Sequence, residues 1–210
     1  MFKLRNAVFC LALVATHAGA ENLFKAGSVQ GWELVTTPAV PLTEVVALRP
    51  DGVIAVAGKP AGFFATLQSY RNYQLHFEWR WDGKPGNAGV LLHISPGPMD
   101  RVWPVSLQVQ TKHGSVGDLL PMAGAAFAEP LTSAAGAAVP LKARMAQDSE
   151  KPAGEWNSCD VVAHDGRVEV RINGVAQNVV RMVEPQSGRI GFQLEGVPYE
   201  LRKVVLTPSE

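Results

Sequence analysis

Apolar residues recur at every second position along much of the chain. In "YQLHFEWRW" (73–81), Leu75, Phe77, Trp79 and Trp81 share one face, and Gln74, His76, Glu78 and Arg80 the other. That is the period of a strand with one dry side. In "VSLQVQTKHGSVGD" (105–118), Leu107, Val109 and Thr111 alternate with Ser106, Gln108, Gln110 and Lys112. "GVLLHIS" sets Val90, Leu92 and Ile94 against Leu91, His93 and Ser95, and "GRIGFQLE" sets Ile190, Phe192 and Leu194 against Gly191, Gln193 and Glu195. Shorter runs at 53–58, 62–67, 167–172 and 199–206 continue the rhythm. Asp165-Gly166 and Asn173-Gly174 supply the positive φ angles of two-residue hairpin turns. No long stretch carries helical periodicity. The pattern predicts an all-β chain, an antiparallel β-sandwich of jelly-roll type.

Two segments depart from it. In residues 1–20, Lys3 and Arg5 precede an apolar run from Ala7 to Ala15, and Ala18-Gly19-Ala20 follows. This is the layout of a secretory signal peptide, with an apolar run too short to span a bilayer. The expected organisation is a signal peptide (1–20) and one domain (21–210), with a periplasmic or secreted location. The second departure runs from Ala123 to Ala153, rich in Ala, Pro and Ser. It reads as a long loop between strands, and a connection of that length is usually functional.

Charge narrows the partners. Losing Lys3 and Arg5 leaves 17 basic against 19 acidic residues. Such a balance offers no footprint for nucleic acid and no polybasic membrane anchor. Removal of Cys10 with the leader leaves Cys159 alone, so no internal disulfide is expected. Cys159 shares a face with Val161 in "WNSCDVV" and reads as a buried thiol. Zinc-finger spacing, a phosphate-binding glycine loop and a nucleophile-elbow serine are all missing from the sequence.

The polar faces carry the candidate chemistry. Glu78, Arg80, His93, Gln108, Gln110, Gln193 and Glu195 are expected to make up one sheet surface, where carboxylate, imidazole and carboxamides together suit a hydroxyl-rich ligand. Each is also compatible with a solvated outer face, and His93 with a satisfied structural histidine. Trp103 and Trp156 stand in loop-like contexts where an indole can stack on a sugar ring or join the core. His93 and His113 with an acidic residue offer ligands for a divalent ion. No residue is assigned to a metal, and no cofactor is predicted.

These segments in this order, "YQLHFEWRW", "GNAGVLLHI", "VWPVSLQVQTKHGSVGDLL", "KPAGEWNSCDVVAHDGRVEVRINGV" and "SGRIGFQLEG" with "ELRKVVLTP", resemble the 3-keto-disaccharide hydrolase family over nearly the whole of residues 21–210. The resemblance implies a concanavalin-like jelly roll and cleavage of glycosides oxidised at carbon 3. It matches Glu78, Asn87, Gly89, His93, Gln110, Asp118, Glu155, Trp156 and Asn157 to family positions. Ala88 replaces a usual serine, and Gln108 stands where a glutamate is common. On this basis His93 is the expected base, with Glu78 as its partner or as the base itself. Gln110, Gln108 and Asp118 complete the catalytic set. Arg80, Asn87, Trp103, His113, Glu155, Trp156, Gln193 and Glu195 are expected to contact a small oligosaccharide or glycoside. The alternative is a carbohydrate-binding module without catalysis, which the loss of the carboxylate at 108 keeps open.

Overall fold

The structure, a computed structural model, describes residues 19–25 and 28–210. The expected signal peptide lies outside the described residues except for Gly19 and Ala20. The strands are β1 (Glu21–Asn22), β2 (Trp32–Thr36), β3 (Val46–Leu48), β4 (Ile54–Val56), β5 (Gly62–Tyr70), β6 (Tyr73–Trp81), β7 (Gly89–Asp100), β8 (Trp103–Gln110), β9 (Leu119–Met122), β10 (Asn157–His164), β11 (Arg167–Ile172), β12 (Val175–Val180), β13 (Gly188–Leu194) and β14 (Tyr199–Pro208). Among the described residues the one helix, α1 (Leu42–Val45), has four residues and precedes β3. Among the described residues no helix is long and apolar enough to cross a membrane.

Two antiparallel sheets form the sandwich. The first runs β12-β11-β10-β6-β14-β4-β3, with β1 added to β14; the second runs β2-β5-β13-β7-β8-β9. The expected hairpins are present: His164 pairs with Arg167 and Ile172 with Val175, across Asp-Gly and Asn-Gly turns with φ positive at all four residues. Between the sheets, Leu75, Phe77, Trp79 and Trp81 of β6 meet Val90, Leu92, Leu107, Val109 and Phe192 of the facing sheet. Burying such side chains contributes about 1.5–3 kcal/mol each. Cys159 is fully buried in this core, and burial drives its thiol pKa well up.

The alternation in β7 holds only as far as Leu92. His93 adopts φ 55, and the strand gains a residue there: Leu91 pairs with Gly191 while Ile94 pairs with Arg189. A bulge of this kind reverses the facing of everything beyond it. Ile94 therefore leaves the expected core face and packs outside with Phe63, Ala65 and Leu91. Gly188 permits the bulge, because a Cβ there would lie 2.4 Å from the His93 carbonyl carbon.

The loop after β9 contains no strand or helix, but it is tied down at several points. Leu119 and Lys142 exchange backbone bonds, Met145 N–H donates to Gln177 O, and Ala126 bridges Glu184. Asn178 Nδ2, from β12, donates to Ala143 O in the loop at 3.3 Å and to Gly117 O just before β9 at 2.9 Å. The loop thus spans the margin between β9 and β12, on different sheets.

Candidate functional site

On the outer face of the second sheet, the ends of β7, β8, β9 and β13 enclose a cavity of about 430 Å³. That lies within the range of small-molecule sites, roughly 300–1,000 Å³. Gln108 and Gln110 project into it from β8 because Leu107 and Val109 are committed to the core. Gln193 enters from β13 and Glu195 follows one turn of the pleat later; Asn87 and Trp103 complete the expected residues in the wall. Ala138, Val139 and Pro140 of the long loop close one side. Sequence reasoning missed Lys112, Asp100 and Arg101, which also line the cavity. Lys112 was findable, since it keeps the parity of Gln108 and Gln110. Asp100 and Arg101 were not, because Asp100 ends β7 beyond two breaks in its register and Arg101 lies in the turn, where alternation assigns no facing.

The polar wall is a connected chain of bonds. Gln108 Nε2 donates to Gln110 Oε1 at 2.8 Å and to Gln193 Oε1 at 3.0 Å. Gln193 Nε2 donates to Glu195 Oε2 at 2.6 Å, and Asn87 Nδ2 donates to the same oxygen at 2.6 Å. Gln108 Oε1 and Asn87 Oδ1 are buried without a partner among the described residues. Leaving such groups unpaired costs about 1–3 kcal/mol each, and both belong to residues of the cavity wall. Gly89 makes the arrangement possible: a Cβ there would meet Gln108 Nε2 at 2.7 Å. Partial burial pushes the Glu195 pKa up, and the opposing pull of Lys112, Arg101 and the Asn87 bond does not cancel it.

The remaining expected residues lie elsewhere, and the expected single surface is in fact divided between two sheets. Glu78 and Arg80 are on β6 of the first sheet. Glu78 bonds Arg202 and, at 2.8 Å, Lys203. Burial disfavours its charge, but those bonds outweigh it and hold the carboxyl below its ordinary value. Arg80 and Arg49 both pair with Glu200. Trp156 lies against the guanidinium groups of Arg80 and Arg202, 4.6 and 4.1 Å from its ring centre. The neighbouring Glu155 is exposed to solvent.

His93 is a core histidine. It is 1 % exposed, donates Nδ1–H to Pro185 O at 3.0 Å, and meets Tyr73 edge to face at 5.7 Å. Burial pushes its pKa down to about 4. The bulge that turns it inward removes it from the polar face on which alternation had placed it. Asp118 accepts a bond from Arg144 N at 2.8 Å and anchors the loop's return; burial raises its pKa. His113 bonds Glu150 Oε2 at 2.9 Å, outside the cavity wall. His93 and His113 thus occupy separate neighbourhoods, and no cluster of three His, Cys, Asp or Glu suited to a metal occurs among the described residues.

The 3-keto-alpha-glucoside-1,2-lyase-like domain matches residues 19–207. The chain belongs to this family. No curated protein matches it. Solved structures share its fold. A candidate glycosyl hydrolase from Parabacteroides distasonis is 21 % identical, with 91 % of this chain and 94 % of that one covered at TM-score 0.66. A second from the same organism is 16 % identical, with 85 % and 99 % covered at TM-score 0.59. The carbohydrate-binding module CBM66 from Bacillus subtilis is 11 % identical, with 83 % and 93 % covered at TM-score 0.55. Membership of the family supports a carbohydrate-related role for this chain, with a sugar as its ligand.

Proposed function

We propose that the protein is an exported enzyme that cleaves 3-keto-glycosides by elimination and hydration in the cavity of the second sheet, with Glu195 as its base. The observation that carries this reading is a carboxylate of raised pKa among carboxamides and two cations, in one cavity of a member of this family. A ketone at carbon 3 acidifies the hydrogen on carbon 2. Glu195 takes that proton, the C1–O bond breaks as C1=C2 forms, and the leaving alkoxide collects a proton. Water then adds across C1=C2, its hydroxyl to carbon 1 and a proton to carbon 2. Lys112 and Arg101 supply positive charge for the enolate oxygen that develops at carbon 3. Gln110, whose Nε2 makes no bond among the described residues, orients the ring. The partners are small glycosides.

The second reading, a binding module without catalysis, draws on the likeness to CBM66 and on carboxamides that bind hydroxyls equally well. Incubation with a panel of 3-keto-glucosides, following aglycone release, separates the two. Release is expected, and its kcat/KM should fall as pH drops through the raised Glu195 pKa. The loss should therefore begin at a higher pH than for an ordinary glutamate. Binding without release on every substrate would leave the module.

A further inference from the structure

The bonds from Glu195 to Gln110 are directional at every step. An ionised carboxylate only accepts, so Gln193 must turn Nε2 toward Glu195 and Oε1 toward Gln108. Gln108 must then present Nε2, which also serves Gln110 Oε1. This leaves Gln108 Oε1 buried without a partner and Gln110 Nε2 as the end turned away from the chain of bonds. A proton on Glu195 Oε2, the oxygen that accepts from both Gln193 and Asn87, inverts each demand. Its O–H donates to Gln193 Oε1, Gln108 turns its carboxamide over, and Gln193 Nε2 and Gln110 Nε2 both donate to the Gln108 Oε1 brought round to them, with Gln108 Nε2 taking the unpaired place. Gln110 then shows the cavity an acceptor.

We propose that this chain is a polarity relay, in which the proton on Glu195 decides which end of the Gln110 carboxamide faces the ligand, and Gln193 and Gln108 are the positioning residues between them. The proposal rests on Glu195 being the proton acceptor of the site. It adds that the ligand side of the cavity, built by β8, registers the proton taken up beyond β13. With Glu195 charged, Gln110 donates to a keto or ether oxygen; with Glu195 neutral, it accepts from a hydroxyl. The groups that set the Glu195 proton come from each flanking element: Lys112 beyond β8, Asp100 at the end of β7, Arg101 between β7 and β8, Asn87 before β7, and Gln193 on β13. The competing response is local. Asn87 Oδ1 is also without a partner and lies on the side chain that bonds Glu195, so Asn87 could turn alone to accept the proton.

The test is a pH titration of the ligand-free protein by NMR, following the Glu195 carboxyl carbon and the Gln110 side-chain NH₂. Both signals should move with one midpoint. Gln108→Met should abolish the Gln110 response while Glu195 still titrates. Gln193→Met breaks the chain one step nearer Glu195 and should likewise leave Gln110 indifferent to the titration, while the lost donor raises the Glu195 midpoint by about one unit; a Gln110 signal that still follows Glu195 in this variant overturns the relay even if the first does not fold. A Gln110 signal indifferent to pH, or one that still follows Glu195 after Gln108→Met, overturns the relay. No substrate is used, so a coupled titration in a protein that releases no aglycone would keep the relay and remove the enzymatic reading.

Discussion

The two sheets bury their inner faces in the same core, yet their outer faces are solved in opposite ways. On the first sheet, Glu78 and Glu200 are each held by two cations, and Trp156 covers the guanidinium groups of Arg80 and Arg202. Charge there is matched within the protein. On the second sheet, Gln193 and Asn87 share one carboxylate and Gln108 and Gln110 extend the chain; two of these side chains keep an acceptor unpaired among the described residues, and a loop walls off the space above them. Residue types on the two faces overlap, and alternation assigns both equally to a polar side. The difference lies in satisfaction: a closed ion-pair network stabilises itself, whereas an incompletely satisfied wall keeps bonding capacity for a ligand.

The largest effect on folding is expected at neither face but at His93. Replacing it with alanine empties a buried site against Tyr73 and strips Pro185 O of its donor. A loss of about 2–4 kcal/mol in denaturant unfolding should follow, with activity per folded molecule unchanged. A stable His93→Ala protein with little activity would return His93 to the chemistry and dissolve the contrast between the faces.

A smaller, opposite outcome is expected at Gly89. An alanine Cβ would meet Gln108 Nε2 at 2.7 Å and both Gln108 Cγ and the Val109 carbonyl oxygen at 3.0 Å, so the amide must shift and the backbone of β8 must give a little. Gly89→Ala should cost about tenfold in kcat/KM, equivalent to about 1.4 kcal/mol, with a fall in Tm smaller than that of His93→Ala. An unchanged kcat/KM would mean that the position of Gln108 does not matter.

How much of this was legible follows from the residues themselves. Leu75, Phe77, Trp79 and Trp81 declared the core face of β6, and Asp165-Gly166 and Asn173-Gly174 declared two hairpins, because local sterics and side-chain period decide both. Alternation also placed Gln108, Gln110, Gln193 and Glu195 correctly on outer faces. It could not say which outer face, since strand neighbours are chosen by long-range packing; Glu78 and Arg80 were therefore grouped with side chains across the sandwich. His93 failed for a different reason. A single residue in the left-handed region reverses parity, and neither the histidine nor the distant Gly188 that makes room for it announces a bulge in sequence. The walls supplied by Arg101 and by Ala138–Pro140 come from turns and loop, where no period exists to read.

The claim that chemistry belongs to the second sheet's outer face is tested most directly by comparing two carboxylates. Aglycone release from a 3-keto-glucoside should be measured for Glu195→Gln and Glu78→Gln side by side, with Tm recorded for each. Glu195→Gln is expected to lose at least about 100-fold in kcat while melting near the parent. Glu78→Gln is expected to keep its rate and to melt earlier, since Arg202 and Lys203 lose their partner. The reverse pattern, a Glu78 variant that folds well but is inactive beside an active Glu195 variant, would contradict the assignment and move the site to the first sheet.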